Sequence, residues 1–262
     1  MTSAEIAIIG GTGVHDPKMF KDAHEVKVHT PYGRTSDFIV VGKFKGRDIA
    51  FLPRHGRGHR IAPHLINYRA NLWALKELGV EWILAPCAVG SLQEDVHPGE
   101  FVFVDQFIDR TQGRKSTFYE GDYVCHVSAA DPVCPSLNRI LSETAEKQKV
   151  AYHPRGTYVC VEGPRFSTRA ESHLFQSWDA SVIGMTMVPE CVLAREASMC
   201  YASIAMVTDY DCWKEHNVKI EEIISTMNQN IEKVKKLLAK VIEEIPKQRK
   251  CSCAQAMEGA LI

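Results

Sequence analysis

Short apolar, β-rich runs alternate with amphipathic helical segments along this chain, and most runs stop abruptly at glycine, proline or charged residues. That alternation constrains the fold more than any other feature. It predicts an α/β domain with a mostly parallel or mixed central sheet flanked by helices. Strands are expected over residues 6–9, 38–42, 48–52, 81–87, 101–104, 157–161, 181–183 and 201–208. Helices are expected over 66–78, 136–147, 168–178, 220–245 and from Pro189 to about residue 199. The helix over 220–245 is the clearest, because its apolar residues hold a 3.6-residue period from end to end. A length of 262 residues fits one domain. Residues 1–246 are expected to form it, with 247–262 as a polar, irregular tail.

Composition removes several function classes. A net charge of −1 argues against a polyanion binder, so no nucleic-acid partner is expected. No apolar run reaches the roughly 18 residues of a membrane span, and the first residues carry no basic n-region. A cytoplasmic protein without a membrane partner is therefore expected. Nine cysteines in such a chain do not read as a secreted disulfide framework. No CxxC pair is present, which argues against a zinc ribbon or finger. Most of the thiols are expected to pack as small hydrophobes. Cys251 and Cys253, one serine apart on the tail, differ: they read as a redox-capable or disulfide-forming pair. A total of only 14 Asn and Gln leans toward a thermophile, while eight Met lean the other way.

In open α/β sheets ligands bind beyond the carboxyl ends of strands, and four such turns bear reactive groups. Gly10-Gly11-Thr12-Gly13 suits convergence of backbone N–H groups and a hydroxyl on an anion, or simply a tight turn. The segment 54–60, RHGRGHR, reads as a flexible cationic loop suited to bidentate contact with a small phosphate, more than as a bland surface loop. Phe166, in the turn EGPRFSTR (162–169), suits either stacking on a flat heterocycle or ordinary packing. Asp209 and Asp211 close the best strand of the second half. An i, i+2 spacing there turns both carboxylates to one side, where repulsion and burial let one keep a proton near neutral pH. No third ligand in a familiar spacing accompanies the pair, so no metal is expected in it. Together the four turns suggest phosphate-driven cleavage of a bond to a planar nitrogenous leaving group, with Asp209 and Asp211 as the acid pair.

The motifs IIGGTG (8–13), RHGRGH (54–59), NYRANLWALKELG (67–79), DQFIDRT (105–111), EGPRFSTRAES (162–172), MTMVPE (185–190) and YASIAMVTDYDCWKEH (201–216) resemble those of the trimeric purine nucleoside phosphorylase family. Within it the likeness is to the methylthioadenosine phosphorylases, and the tail CxC motif is similar to that of archaeal members. The resemblance spans about residues 6–238. It implies a mixed sheet partly closed into a barrel and a phosphorolytic reaction that uses no metal or organic cofactor. The substrates implied are 5′-methylthioadenosine and phosphate; a broad purine nucleoside phosphorylase acting on adenosine, inosine and guanosine is the alternative. By motif position, Thr12, Arg54, His55 and Thr186 would hold phosphate, with the Ala88 backbone N–H. Phe166 would lie against the base and Met185 under the ribose, with Ser167 among the substrate-binding residues. Asp209 and Asp211 would bond the adenine N7 and 6-amino edge. Ile220 and Ile223 would line the 5′ pocket, which His126 would reach from a neighbouring subunit of a trimer or dimer of trimers. Two positions depart from relatives: Cys87, where they carry a hydroxyl residue, and Gly184, where animal enzymes carry a polar side chain.

Overall fold

The computed structural model describes residues 2–11, 13–14, 20–214 and 220–262. Eleven strands form one mixed sheet. In chain order they are β1 (Ile6–Gly10), β2 (Lys21–Val26), β3 (Ile39–Phe44), β4 (Arg47–Pro53), β5 (Trp82–Ser91), β6 (Phe101–Phe103), β7 (Gln106–Arg110), β8 (Tyr152–His153), β9 (Thr157–Val161), β10 (Val182–Gly184) and β11 (Cys200–Asp209). The main path runs β2-β3-β4-β1-β5-β10-β9-β7, and a branch leaves β5 through β11 and β6 to β8. Hydrogen bonds do not join the ends of this path, so the sheet is mixed but not closed into a continuous barrel by them.

Among the described residues the α-helices are α1 (Tyr68–Glu77), α2 (Pro135–Lys147), α3 (Arg169–Ser177), α4 (Met187–Glu196) and α5 (Ile220–Glu244). The central strands are buried on both faces, and the period of two divides them cleanly. Ile83, Ala85, Cys87 and Val89 of β5 join the core that includes Leu72 and Leu75 of α1 and Leu193 of α4. Trp82 and Leu84 join the opposite core, with Leu137 and Leu141 of α2 and Leu237 and Val241 of α5. In β11 the same division separates Tyr201, Ala205 and Val207 from Ala202, Ile204 and Met206.

The feature that builds the site is the behaviour of β5. Its first residues pair in parallel with β1, from Trp82 to Leu84. Its last pair antiparallel with β10, at Gly90 and Ser91. Between them, one edge of β5 faces a gap in the sheet, while the other stays paired with β11. The β1, β4, β10 and β11 ends open around that gap.

The sequence-based elements match these positions except at three strands. β2 and β7 are edge strands rich in polar residues, and β8 spans only two residues, so none shows an apolar alternation. The tail also departs from expectation. It packs on the α2–α5 side through a buried Cys253 and a short 3-10 turn at Ser252–Gln255. Its last residues pair with the segment before His126: Val124 and Ile262 exchange backbone hydrogen bonds of 3.2 and 3.0 Å. Buried Cys253 and Ala260 hold it down while its polar residues stay outside.

Candidate active site

A cavity of about 480 Å³ occupies the gap beside β5. Arg54, His55, Ala88, Phe166, Ser167 and Met185 line it, together with Thr186, Asp209, Asp211 and Ile223. Ten of the expected site residues thus converge from six separated stretches of chain. Thr12 and the side chain of Ile220 lie outside the described residues. His126 does not line the cavity of its own chain; it is exposed and donates its backbone N–H to Ala260 at 2.8 Å.

The segment 54–60 does not act as one cationic loop. Only Arg54 among its arginines enters the cavity wall. Arg57 pairs at the surface with Glu25, and Arg60 donates to the Arg57 carbonyl. Arg54 itself is 1 % exposed. Its Nε and Nη2 each meet a Glu190 oxygen at 2.8 Å, Nη2 also donates to the Ile9 carbonyl, and Nη1 to the Pro86 carbonyl. Burial works against the charge, but Glu190 outweighs it and holds Arg54 protonated. A guanidinium has five N–H donors, so one remains, on Nη1. The expected bidentate grip on phosphate is therefore not open to Arg54, because the fork is already turned onto Glu190.

Other donors compensate. Because the backbone of a strand alternates, the N–H of Ala88 points into the same gap as the Pro86 carbonyl that Arg54 meets. Thr186 precedes α4 and its hydroxyl is not spent on capping that helix. The His55 Nδ1 lies 2.9 Å from the Ile61 carbonyl, which can only accept, so Nδ1 bears the hydrogen and Nε2 is left as an acceptor. Burial, then the neighbouring Arg54 charge, pull the His55 pKa down to about 4. The ring is neutral at physiological pH.

The acid pair is present, by a route other than strand alternation. β11 ends at Asp209, with a register shift between Val207 and Asp209. Asp211 lies beyond it in a turn with φ of 49°. The turn is closed by Asp209 itself, whose Oδ2 accepts the Asp211 backbone N–H at 3.0 Å. Asp209 Oδ1 lies 2.6 Å from the Thr208 hydroxyl, and Asp211 Oδ2 accepts the Ser172 hydroxyl at 2.8 Å. Burial raises both carboxyl pKa values, against those hydrogen bonds. Beside them the Ser167 hydroxyl is buried and helps hold the Asp211 carboxylate, and Phe166 stands 68 % exposed at the mouth.

Four residues that position this site were not singled out from sequence. Glu190 orients Arg54 and also accepts from Tyr201 at 2.9 Å; its signal was a lone acid inside the apolar run 187–194. Arg114 donates to the carbonyls of Glu162, Met185 and Val188 at 2.7, 2.8 and 2.6 Å, tying together the segments that present Phe166 and Met185. Ser172 holds Asp211. Tyr158 explains Gly184: a Cβ there would lie 2.0 Å from the Tyr158 oxygen, which accepts the Thr186 N–H at 3.3 Å. The tyrosine fills the space that a side chain at 184 would need.

Comparison with known proteins agrees with this geometry. Residues 5–243 match the family model described as the phosphorylase superfamily. The S-methyl-5′-thioadenosine phosphorylase of Thermofilum pendens is 54% identical over 262 residues, covering 100% of both chains. That of Nitrosopumilus maritimus is 55% identical, over 98% of this chain and 97% of the other. A methylthioadenosine phosphorylase crystal structure from an antarctic soil metagenomic library superposes with a TM-score of 0.96 at 44% identity, covering 100% of this chain and 93% of that one. The Schistosoma mansoni methylthioadenosine phosphorylase in complex with adenine gives a TM-score of 0.92 at 38% identity, over 98% and 97%. A chain that shares the fold from end to end, at such identity and across nearly the whole family model, belongs to the phosphorylase superfamily.

Proposed function

We propose that this chain cleaves 5′-methylthioadenosine with inorganic phosphate, giving adenine and 5-methylthioribose 1-phosphate. One observation carries the reading. A single cavity brings an acid pair with raised pKa values, Asp211 buried and Asp209 half-buried, together with a buried arginine that has one donor left and a strand edge offering the Ala88 N–H. The curated relatives named above bear the name of this activity.

As the glycosidic bond breaks, the ribose gathers positive charge and the purine negative charge. A carboxyl of the Asp209–Asp211 pair gives a proton or a strong hydrogen bond to N7. The paired carboxylate accepts from the 6-amino group. Phe166 covers the base beside the Ser167 hydroxyl; Met185 lies under the ribose, and Ile223 packs the 5′ methylthio group. Phosphate attacks C1′ from a cradle of the Arg54 Nη1–H, the Ala88 N–H and the Thr186 hydroxyl. Neutral His55 takes the complementary part, accepting the P–OH hydrogen of hydrogen phosphate on Nε2. Arg54 and Glu190 offset one another's charge, so the cradle binds phosphate through directed donors more than through net charge. Proton donor and nucleophile both come from these parts, and the reaction we propose calls on no metal or organic cofactor.

A 6-oxo purine would set an acceptor against the carboxylate, which is costly in a buried site. Adenine nucleosides are therefore preferred over inosine and guanosine. We place the enzyme in the cytoplasm as a trimer or dimer of trimers, in which His126 of one chain closes the 5′ end of the next. The test is adenine release from 5′-methylthioadenosine with and without phosphate, with inosine in parallel. Strict phosphate dependence and weak inosine turnover are expected. Release without phosphate would make the enzyme a hydrolase, and inosine turnover matching that of adenosine would overturn the role given to the acid pair.

A further inference from the structure

Four of the nine cysteines meet at one point that lies apart from the cavity. Cys134 caps the start of α2, Cys200 opens β11, and Cys251 and Cys253 flank and enter the 3-10 turn of the tail. Their sulfur atoms all lie within 4.8 Å of one another. Cys200 and Cys251 stand at 3.3 Å, well beyond a disulfide bond of about 2.05 Å. Cys134, Cys200 and Cys253 are buried and Cys251 is half-buried. None of the four lines the cavity. Cys200 and Asp209 begin and end the same strand, about 30 Å apart at the rise of an extended chain.

We propose that these four cysteines form a structural site for one soft divalent metal ion of the zinc class, which clamps the tail to α2 and β11. Tetrahedral zinc with Zn–S bonds of about 2.3 Å sets its sulfurs about 3.8 Å apart, inside the spread seen here. Sulfur donors exclude magnesium and calcium, which take oxygen. Four protein ligands leave no open position, the mark of a structural rather than a catalytic site. Binding a divalent ion displaces the thiol protons to solvent, and the ion offsets the repulsion between the resulting thiolates.

The spacing hid this site. Cys134 and Cys200 come from distant elements, and the tail pair is CxC rather than the CxxC of a ribbon. What the ion would do is clear from the tail's other contacts: residues 260–262 pair with 124–126, so anchoring Cys251 and Cys253 also fixes the segment bearing His126.

Cobalt(II) is the probe. The full chain, reduced and stripped of metal under anaerobic conditions, is titrated with Co²⁺. Saturation at one ion per chain is expected, with a near-ultraviolet thiolate charge-transfer band and the visible bands of tetrahedral cobalt, both abolished by added zinc. Cys253→Ser and Cys134→Ser should each weaken binding at least about 100-fold, since even an outer-shell partner is worth about 10–100-fold. Cys125→Ser, at a cysteine outside the cluster, should leave it unchanged. Protein purified without chelator or added metal should hold one zinc per chain and melt at a lower temperature once stripped. Absence of the charge-transfer band from the reduced wild-type chain would overturn the proposal. So would four thiols missing from the unreduced, denatured protein, because two disulfides would then occupy the cluster.

Discussion

Asp211 shows how the chemistry of the site is set against the stability of the fold. Burial raises its pKa, and the Ser172 hydrogen bond only partly opposes this. A carboxyl whose folded pKa lies above the unfolded value holds its proton more tightly in the folded chain. The resulting stabilisation is full below the ordinary aspartate pKa of about 3.9 and is lost as pH rises through the raised value. At neutral and alkaline pH the ionised group is a net cost to folding. Asp211→Asn removes that charge and still offers Ser172 an oxygen. Its melting temperature should equal or exceed that of the wild type, by a margin that widens from about pH 4 to about pH 8. Adenine release should fall at least about 100-fold, the usual worth of a general acid or its partner. Thermal melts across pH, beside rates at each pH, check both halves. A variant less stable than wild type at the alkaline end would show that the ionised carboxylate is stabilising after all. Wild-type activity should decline on the alkaline limb, as the pair gives up its shared proton.

At the scale of elements, α3 links a local sequence signal to that carboxyl. Thr168 and Glu171 form a reciprocal capping box, each side chain bonding the other's backbone N–H. The next residue, Ser172, grips Asp211. Thr168→Ala should cost about 1 kcal/mol of stability. It should also lower kcat while leaving KM for phosphate unchanged, since Arg54 is held by Glu190, Ile9 and Pro86 rather than by α3. Steady-state kinetics with each substrate varied in turn separate these outcomes, and an equal rise in phosphate KM would mean that α3 supports the whole cavity. This helix also marks what the sequence could disclose. The helical spacing of α2, the stripe of α5 and the apolar runs of β1, β9 and β11 are local signals, and each was legible. Edge strands β2 and β7 were not, because an exposed strand needs no apolar face. Ten expected residues line one cavity: Arg54, Asp209 and Asp211 could be picked out because turns at strand ends converge in an α/β sheet, while others such as Ala88, Met185 and Thr186 came only from the family resemblance. The partnership of Arg54 with Glu190 spans 136 positions and left no spacing to read. The turn at Asp211 was misread as strand alternation, since nothing local distinguished a chain that leaves the sheet after Asp209.

At the scale of the whole molecule, the open mouth of the cavity shapes the last expectation. The gap beside β5 is roofed by turns from both halves of the chain, yet Phe166 remains 68 % exposed at its mouth. A second apolar strip lies on the segment before His126, where Tyr123 is 67 % exposed and Val124 also faces outward. Large aromatic surfaces left bare at two places, one of them a binding mouth, suit a contact between copies of the chain. A trimer, single or doubled, satisfies both if the strip of one chain covers the mouth of the next. Tyr123→Asp places a charge in that contact while leaving the core untouched. It should shift sedimentation toward the monomer, leave the far-ultraviolet circular dichroism unchanged, and raise KM for the nucleoside far more than KM for phosphate. The asymmetry follows from the proposed arrangement, in which Arg54, Ala88 and Thr186 of one chain hold phosphate while the exposed rim at Phe166 meets the nucleoside. Wild-type specific activity should likewise fall on dilution as subunits separate. A monomer with full activity would mean that one chain completes its own cavity, with Phe166 closing over the base unaided.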